Sequence, residues 1–97
     1  VIVFKGAAIY VPTGFSPNHD GKNELLRPRF IGIKKIFNFS VYNRWGQMIF
    51  STNRQDDGWD GTVNGKDQPV GTYVWTLKVE DVLGNIHEKK GTATLLR

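Results

Sequence analysis

Phe37-Asn38-Phe39-Ser40-Val41-Tyr42-Asn43-Arg44-Trp45-Gly46-Gln47-Met48-Ile49-Phe50 decides the fold class, because two apolar-rich runs flank a turn signal. The stretch reads as a β-hairpin. Phe37, Phe39 and Val41 share one face of the first run and Asn38, Ser40 and Tyr42 the other, which is the alternation of a half-buried strand. Asn43 can open a turn through its side-chain oxygen, and Gly46 can take the left-handed conformation that closes such a turn with a bulge. A β-branched residue at position 46 is therefore expected to misregister the hairpin. Trp45 stands out, since an indole at a loop tip gains nothing unless it folds back onto a sheet or meets a partner. The more ordinary expectation is that Trp45 folds against its own sheet with Arg44 stacked or paired nearby. The alternative is an aromatic-arginine contact for a protein partner.

The same alternation recurs outward from the hairpin. Tyr73, Trp75, Leu77 and Val79 alternate with Val74, Thr76, Lys78 and Glu80 in the best strand of the chain, and Ile86 to Leu96 returns as a long final strand after the turn Asp81-Val82-Leu83-Gly84-Asn85. Gly91 interrupts that last strand and is expected to mark a bulge. Upstream, Val1 to Phe4 and Ala7 to Val11 read as one interrupted strand or two short ones, ended by Pro12. Leu25 to Phe30, carrying Pro28, reads as a short edge strand. Asn64-Gly65 is a tight-turn signal, Pro69-Val70-Gly71 is an exit into the best strand, and Ser51 to Asp57 is loop-like. No stretch sustains a helical period. About seven short strands at this spacing predict an immunoglobulin-like antiparallel β-sandwich. Phe39, Val41, Trp59, Tyr73, Trp75 and Leu77 are expected in its core.

Ninety-seven residues with 39% hydrophobic and 12% aromatic content suit a single domain with one core. The chain opens on Val1, and residues 1–97 are expected to be one C-terminal domain cut from a longer protein. No apolar run approaches bilayer-spanning length, so neither membrane insertion nor a spanning segment is expected. The absence of cysteine excludes disulfides and thiolate metal sites. A net charge of +4 is spread along the chain, with pairs only at Lys34-Lys35 and Lys89-Lys90. That scatter fits solvated strand faces and edge protection by lysine, and it argues against a nucleic-acid partner, which would need concentrated basic residues.

Three constellations invite a chemical reading. Asn18-His19-Asp20-Gly21-Lys22-Asn23-Glu24 has oxygen-bearing side chains at alternate positions and a glycine, like part of a calcium loop. Only two of its residues are acidic, too few for tight calcium binding, so the ordinary reading is a self-bonded loop and no cofactor is expected. If a metal binds, Asn18, Asp20 and Asn23 are its ligands. Asp56, Asp57 and Asp60 beside Trp59 could suggest paired carboxylates around a sugar-stacking ring, but all lie on one turn-rich segment, which favours turn and capping roles. His19 and His87 stand without a nucleophile or a cysteine partner, so no triad or zinc site is expected. The chain does not read as an enzyme.

Five motifs in order carry a resemblance over almost the whole chain. They are 11–24 (VPTGFSPNHDGKNE), 41–47 (VYNRWGQ), 58–62 (GWDGT), 71–73 (GTY) and 90–97 (KGTATLLR). With them the chain resembles the gliding motility-associated C-terminal domain, the type B C-terminal sorting domain of the type IX secretion system. His19 stands where a small turn residue such as Gly is commoner, and Glu24 where Asp is. The resemblance implies a non-catalytic secretion signal whose cargo, a secreted or cell-surface protein, passes through periplasm and outer membrane. It also implies an outer-membrane translocon and an associated outer-membrane protein as partners. The residues most suited to docking are the turn Arg44, Trp45 and Gly46, and the final strand at Gly91, Thr92, Leu95, Leu96 and Arg97. The alternative function is an adhesive or carbohydrate-binding β-sandwich module, whose aromatics would form a sugar platform.

Overall fold

The computed structural model of the chain describes residues 8–17 and 25–96. Their regular structure is entirely β, and among them no helix is long and apolar enough to cross a membrane. Among the described residues there are nine strands, three of them two-residue strands where the sequence shows only turns: β1 Ala8–Tyr10, β2 Gly14–Phe15, β3 Arg29–Ile31, β4 Ile33–Tyr42, β5 Met48–Thr52, β6 Thr62–Val63, β7 Lys66–Asp67, β8 Gly71–Asp81 and β9 Ile86–Leu95.

The strong alternation of 73–79 makes β8 the centre of a five-stranded sheet of order β2-β9-β8-β4-β5. All its pairs are antiparallel except β2 with β9, which is parallel. β1 pairs with β3, and β6 with β7, as two small ribbons. Phe39 and Val41 from β4, Tyr73, Leu77 and Val79 from β8, and Ala93 and Leu95 from β9 are buried on one face of the large sheet. Phe15, Leu26 and Trp59 complete the core, with Ile9, Val11 and Phe30 packed against it. This is the expected immunoglobulin-like sandwich, with a second layer built from ribbons and loops instead of a full second sheet.

Two register details differ from the sequence expectation. Opposite Val79 and Lys78 stand Ile36 and Asn38, so Phe37 is an extra residue in β4. That bulge flips the phase: Ile36 enters the core in the place the alternation gave to Phe37, whose ring instead lies 4.9 Å from Lys35 Nζ and 5.7 Å from Lys78 Nζ. Gly91 shows the reverse. The β8–β9 register runs unbroken from Gly71↔Leu95 to Glu80↔Ile86, with Gly91 opposite Trp75. No bulge occurs there. A Cβ at 91 would stand 2.8 Å from the Trp75 indole, so the glycine provides room for that ring. Trp75 is accordingly only partly buried, on the same face as Tyr73 and Leu77.

Residues 1–7, 18–24 and 97 lie outside the described residues, and with them the Val1–Phe4 strand, the candidate ligands Asn18, Asp20 and Asn23, and Arg97.

Candidate functional site

The β4–β5 turn is built by one side chain. Asn43 Oδ1 accepts the Trp45 N–H at 2.9 Å and the Gln47 N–H at 3.0 Å, and Asn43 Nδ2 donates to Gln47 Oε1 at 2.9 Å. Backbone bonds close the same turn, from the Gly46 N–H to the Asn43 carbonyl and from the Asn43 N–H to the Gln47 carbonyl, both 3.0 Å. Gly46 takes φ +79°, the left-handed conformation expected of it. Five hydrogen bonds to Asn43 thus fix the turn's conformation.

On that frame Trp45 is 71% exposed and does not fold onto its own sheet, contrary to the more ordinary expectation. The turn projects beyond the end of β4, and the indole stands across a cavity from the start of β8 instead of lying on it. Arg44 lies over it, with Cζ 4.4 Å from the ring centroid, the geometry of a cation–π stack. Beside this pair the segment Gln68 to Tyr73 forms the opposite wall of a cavity of ≈ 100 Å³. Val70 is exposed there, and the wall is held in place by the Tyr73 hydroxyl, which donates to the Pro69 carbonyl at 2.6 Å.

The final strand ends at the same pole, because Leu95 stands opposite Gly71. The sequence candidates thus converge, but their side chains differ. Leu95 is fully buried, Gly91 lies under Trp75, and Thr92 and Leu96 are exposed. The strand edge near the terminus is already paired, since the Thr94 N–H donates to the Thr13 carbonyl and the Leu96 N–H to the Phe15 carbonyl. By alternation the amides of Thr92, Lys90 and Glu88 point the same way, and no described strand pairs with them.

The other constellations are structural. Trp59 is buried, pairs with Leu26 through two backbone bonds, donates its indole N–H to the Thr62 carbonyl at 2.9 Å and packs edge-on to Tyr73. Asp60 Oδ1 accepts the Thr62 N–H and hydroxyl, and Asp57 accepts the Thr52 hydroxyl. These are turn roles, as expected for both residues. Gly58 has no room for a side chain, since a Cβ would meet Leu26 and Arg27 at 2.9 Å.

His87 is not isolated. Its Nε2 stands 2.8 Å from Oδ2 of buried Asp81, while Asp81 Oδ1 accepts the Leu83 and Asn85 N–H groups. The His87 hydrogen bond and those backbone donors hold the Asp81 carboxyl at about 2, against the opposing effect of burial. No hydroxyl of the described residues is hydrogen-bonded to His87, so the pair locks the β8–β9 turn as Asn43 locks the β4–β5 turn. Sequence reading missed this pair and the Pro69–Val70 wall. Asp81 opening a turn that ends in Gly84 was the signal for the first, and nothing local signalled the second.

The arrangement therefore offers one rigid, exposed aromatic-arginine pole and, among the described residues, no group of His, Cys, Asp and Glu that could hold a metal. The CHU_C type IX secretion signal domain family matches residues 9–95, which takes in every described strand except the first residue of β1. The chain belongs to that family. No curated protein matches it. As a type IX secretion signal domain it serves as a non-catalytic sorting signal, and its cargo is exported to the cell surface or medium by a secretion system that recognises the domain.

Proposed function

We propose that the signal is read as a folded surface at the Trp45 pole, with Arg44, Trp45 and Gly46 as its centre and Leu96 and Thr92 at its margin. Residues 1–97 act as one C-terminal sorting domain, and the reader is the outer-membrane translocon or an outer-membrane protein associated with it. The cargo reaches that reader through the periplasm.

A single observation carries this reading: a 71% exposed indole with an arginine stacked on it, on a turn fixed by five hydrogen bonds to one asparagine. An exposed tryptophan gives up apolar burial worth about 1.5–3 kcal/mol for a large side chain, and a pre-ordered Trp-Arg pair is the composition that dominates binding energy at protein interfaces. Docking through the β9 terminus is less favoured, because its amides at Thr94 and Leu96 already pair with β2. The adhesive-module alternative would need a platform of aromatics. Trp59 is buried and Trp75 partly so, which leaves Trp45 as the one largely exposed tryptophan.

The test uses the purified 97-residue chain and detergent-solubilised outer membranes of a type IX-competent host. The wild type retains an outer-membrane protein of the translocon, and a folded variant with Arg44→Ala and Trp45→Ala does not. Equal retention by both would overturn the reading.

A further inference from the structure

We propose that the cavity between the Trp45 turn and the Pro69–Tyr73 segment is the specificity pocket of this pole, and that it takes one apolar side chain flanked by a carboxylate from a loop of the secretion machinery. The inference rests on the reading above and deepens it.

Size sets the first limit. The cavity is ≈ 100 Å³, below the roughly 300–1,000 Å³ of small-molecule sites and suited to one side chain of a protein partner. Its walls set the second. Exposed Trp45 and Val70 line it with Pro69 and give it an apolar side, while Asn43, Arg44 and Thr72 add polar groups to the same lining. Both walls are held before binding: Asn43 fixes the turn, and the Tyr73 hydroxyl fixes the Pro69 carbonyl while its ring is anchored against Trp59. A pocket already in its bound shape lowers the ordering cost of association.

Charge supplies the third limit. Arg44 lines the same cavity, and its guanidinium is engaged by the Trp45 face while no carboxylate of the described residues forms an ion pair with it. A stacked guanidinium keeps its in-plane N–H donors available, and these match a carboxylate bidentately. An apolar residue next to an aspartate or glutamate therefore satisfies pocket and rim together, whereas a lysine there would be repelled.

Two measurements test the proposal. In a type IX-competent host, a reporter fused to residues 1–97 is exported with Val70→Asp or with Val82→Asp, Val82 being equally exposed on the β8–β9 turn at the far end of β8. Val70→Asp is expected to lower export at least tenfold and Val82→Asp less than twofold, both with wild-type melting. Normal export of Val70→Asp alongside loss in Trp45→Ala would overturn the pocket and leave the Trp45 reading standing. Normal export of both would overturn the two together, and equal loss in the two valine variants would overturn the pocket.

The second measurement titrates the 97-residue chain with acetyl-Gly-Leu-Asp-Gly-amide and follows the Trp45 indole and the Val70 and Gly71 amides by NMR. Millimolar shifts confined to this pole are expected, at least fivefold smaller with the Lys counterpart. Equal shifts for the two peptides, or none, would overturn the carboxylate assignment. Concentration-dependent self-association abolished by Trp45→Ala would assign the pocket to a second copy and overturn the proposal.

Discussion

Asp81 shows how one residue holds a turn and makes stability depend on pH. Its ordinary carboxyl pKa of 3.8 falls to about 2 in the fold, chiefly through His87. A group whose folded pKa is depressed contributes stability that is complete above its unfolded value and is lost as pH falls through its folded value. The window is therefore about pH 4 down to about 2. Asp81→Asn is expected to melt below the wild type at neutral pH, and the gap is expected to narrow across that window, as read by thermal melts at stepped pH. A gap independent of pH would contradict it. Gly91→Val is expected to cost about 1–3 kcal/mol through overpacking, since its Cβ would meet the Trp75 indole at 2.8 Å. Urea midpoints measure that loss. The alternation placed Trp75 on the inward face correctly. It could not show that the ring crosses β9 over Gly91, because a cross-strand neighbour is a matter of register, which local sequence does not carry.

At the scale of elements, the two hairpins use one device. An Asx side chain at the first position, Asn43 or Asp81, caps two amides ahead of it, and Gly46 or Gly84 closes the turn at φ +79° or +89°. These turns were legible because their chemistry is local. No atom lies within 4 Å of a Cβ placed on Gly46, so the cost of substitution there is conformational alone. Gly46→Val is expected to cost about 1–2 kcal/mol for a left-handed residue, and Gly46→Asn appreciably less. Chemical denaturation of both variants checks the order. What stayed illegible was the phase of β4. Bulges at Lys34 and Phe37 shift which residues face inward, and the sequence Lys34-Lys35-Ile36-Phe37 fits either phase until β8 is beside it. With only two acidic residues in 18–24, we propose that the chain has little calcium dependence. Adding a chelator is expected to move the melting temperature by less than about 1 °C, well short of the effect of releasing a tightly bound ion, and a larger fall would make Asn18, Asp20 and Asn23 calcium ligands.

At the scale of the whole molecule, the β8–β9 turn and the Trp45 turn stand at opposite ends of β8. Ala8 stands opposite Ile31, and Ile33 opposite Asp81, so Ala8 lies toward the β8–β9 turn. Trp45, Val70 and Leu96 lie at the other end of β8, along a body whose longest extent is 46 Å. The Trp45 turn therefore lies at the opposite end of β8 from Ala8. Deleting Leu95 to Arg97 cannot test the strand end separately, because Leu95 is wholly buried and its loss opens the core. The family was legible in five motifs, and the pole was half legible: the exposed turn came from Arg44-Trp45 itself, while its facing wall comes from residues more than twenty positions away. The most direct test measures the fraction of a reporter fused to residues 1–97 that reaches the surface or medium in a type IX-competent host. With Arg44→Ala and Trp45→Ala together, that fraction is predicted to fall at least tenfold while circular dichroism and melting stay those of the wild type. Export of the folded double variant at the wild-type level would contradict the account.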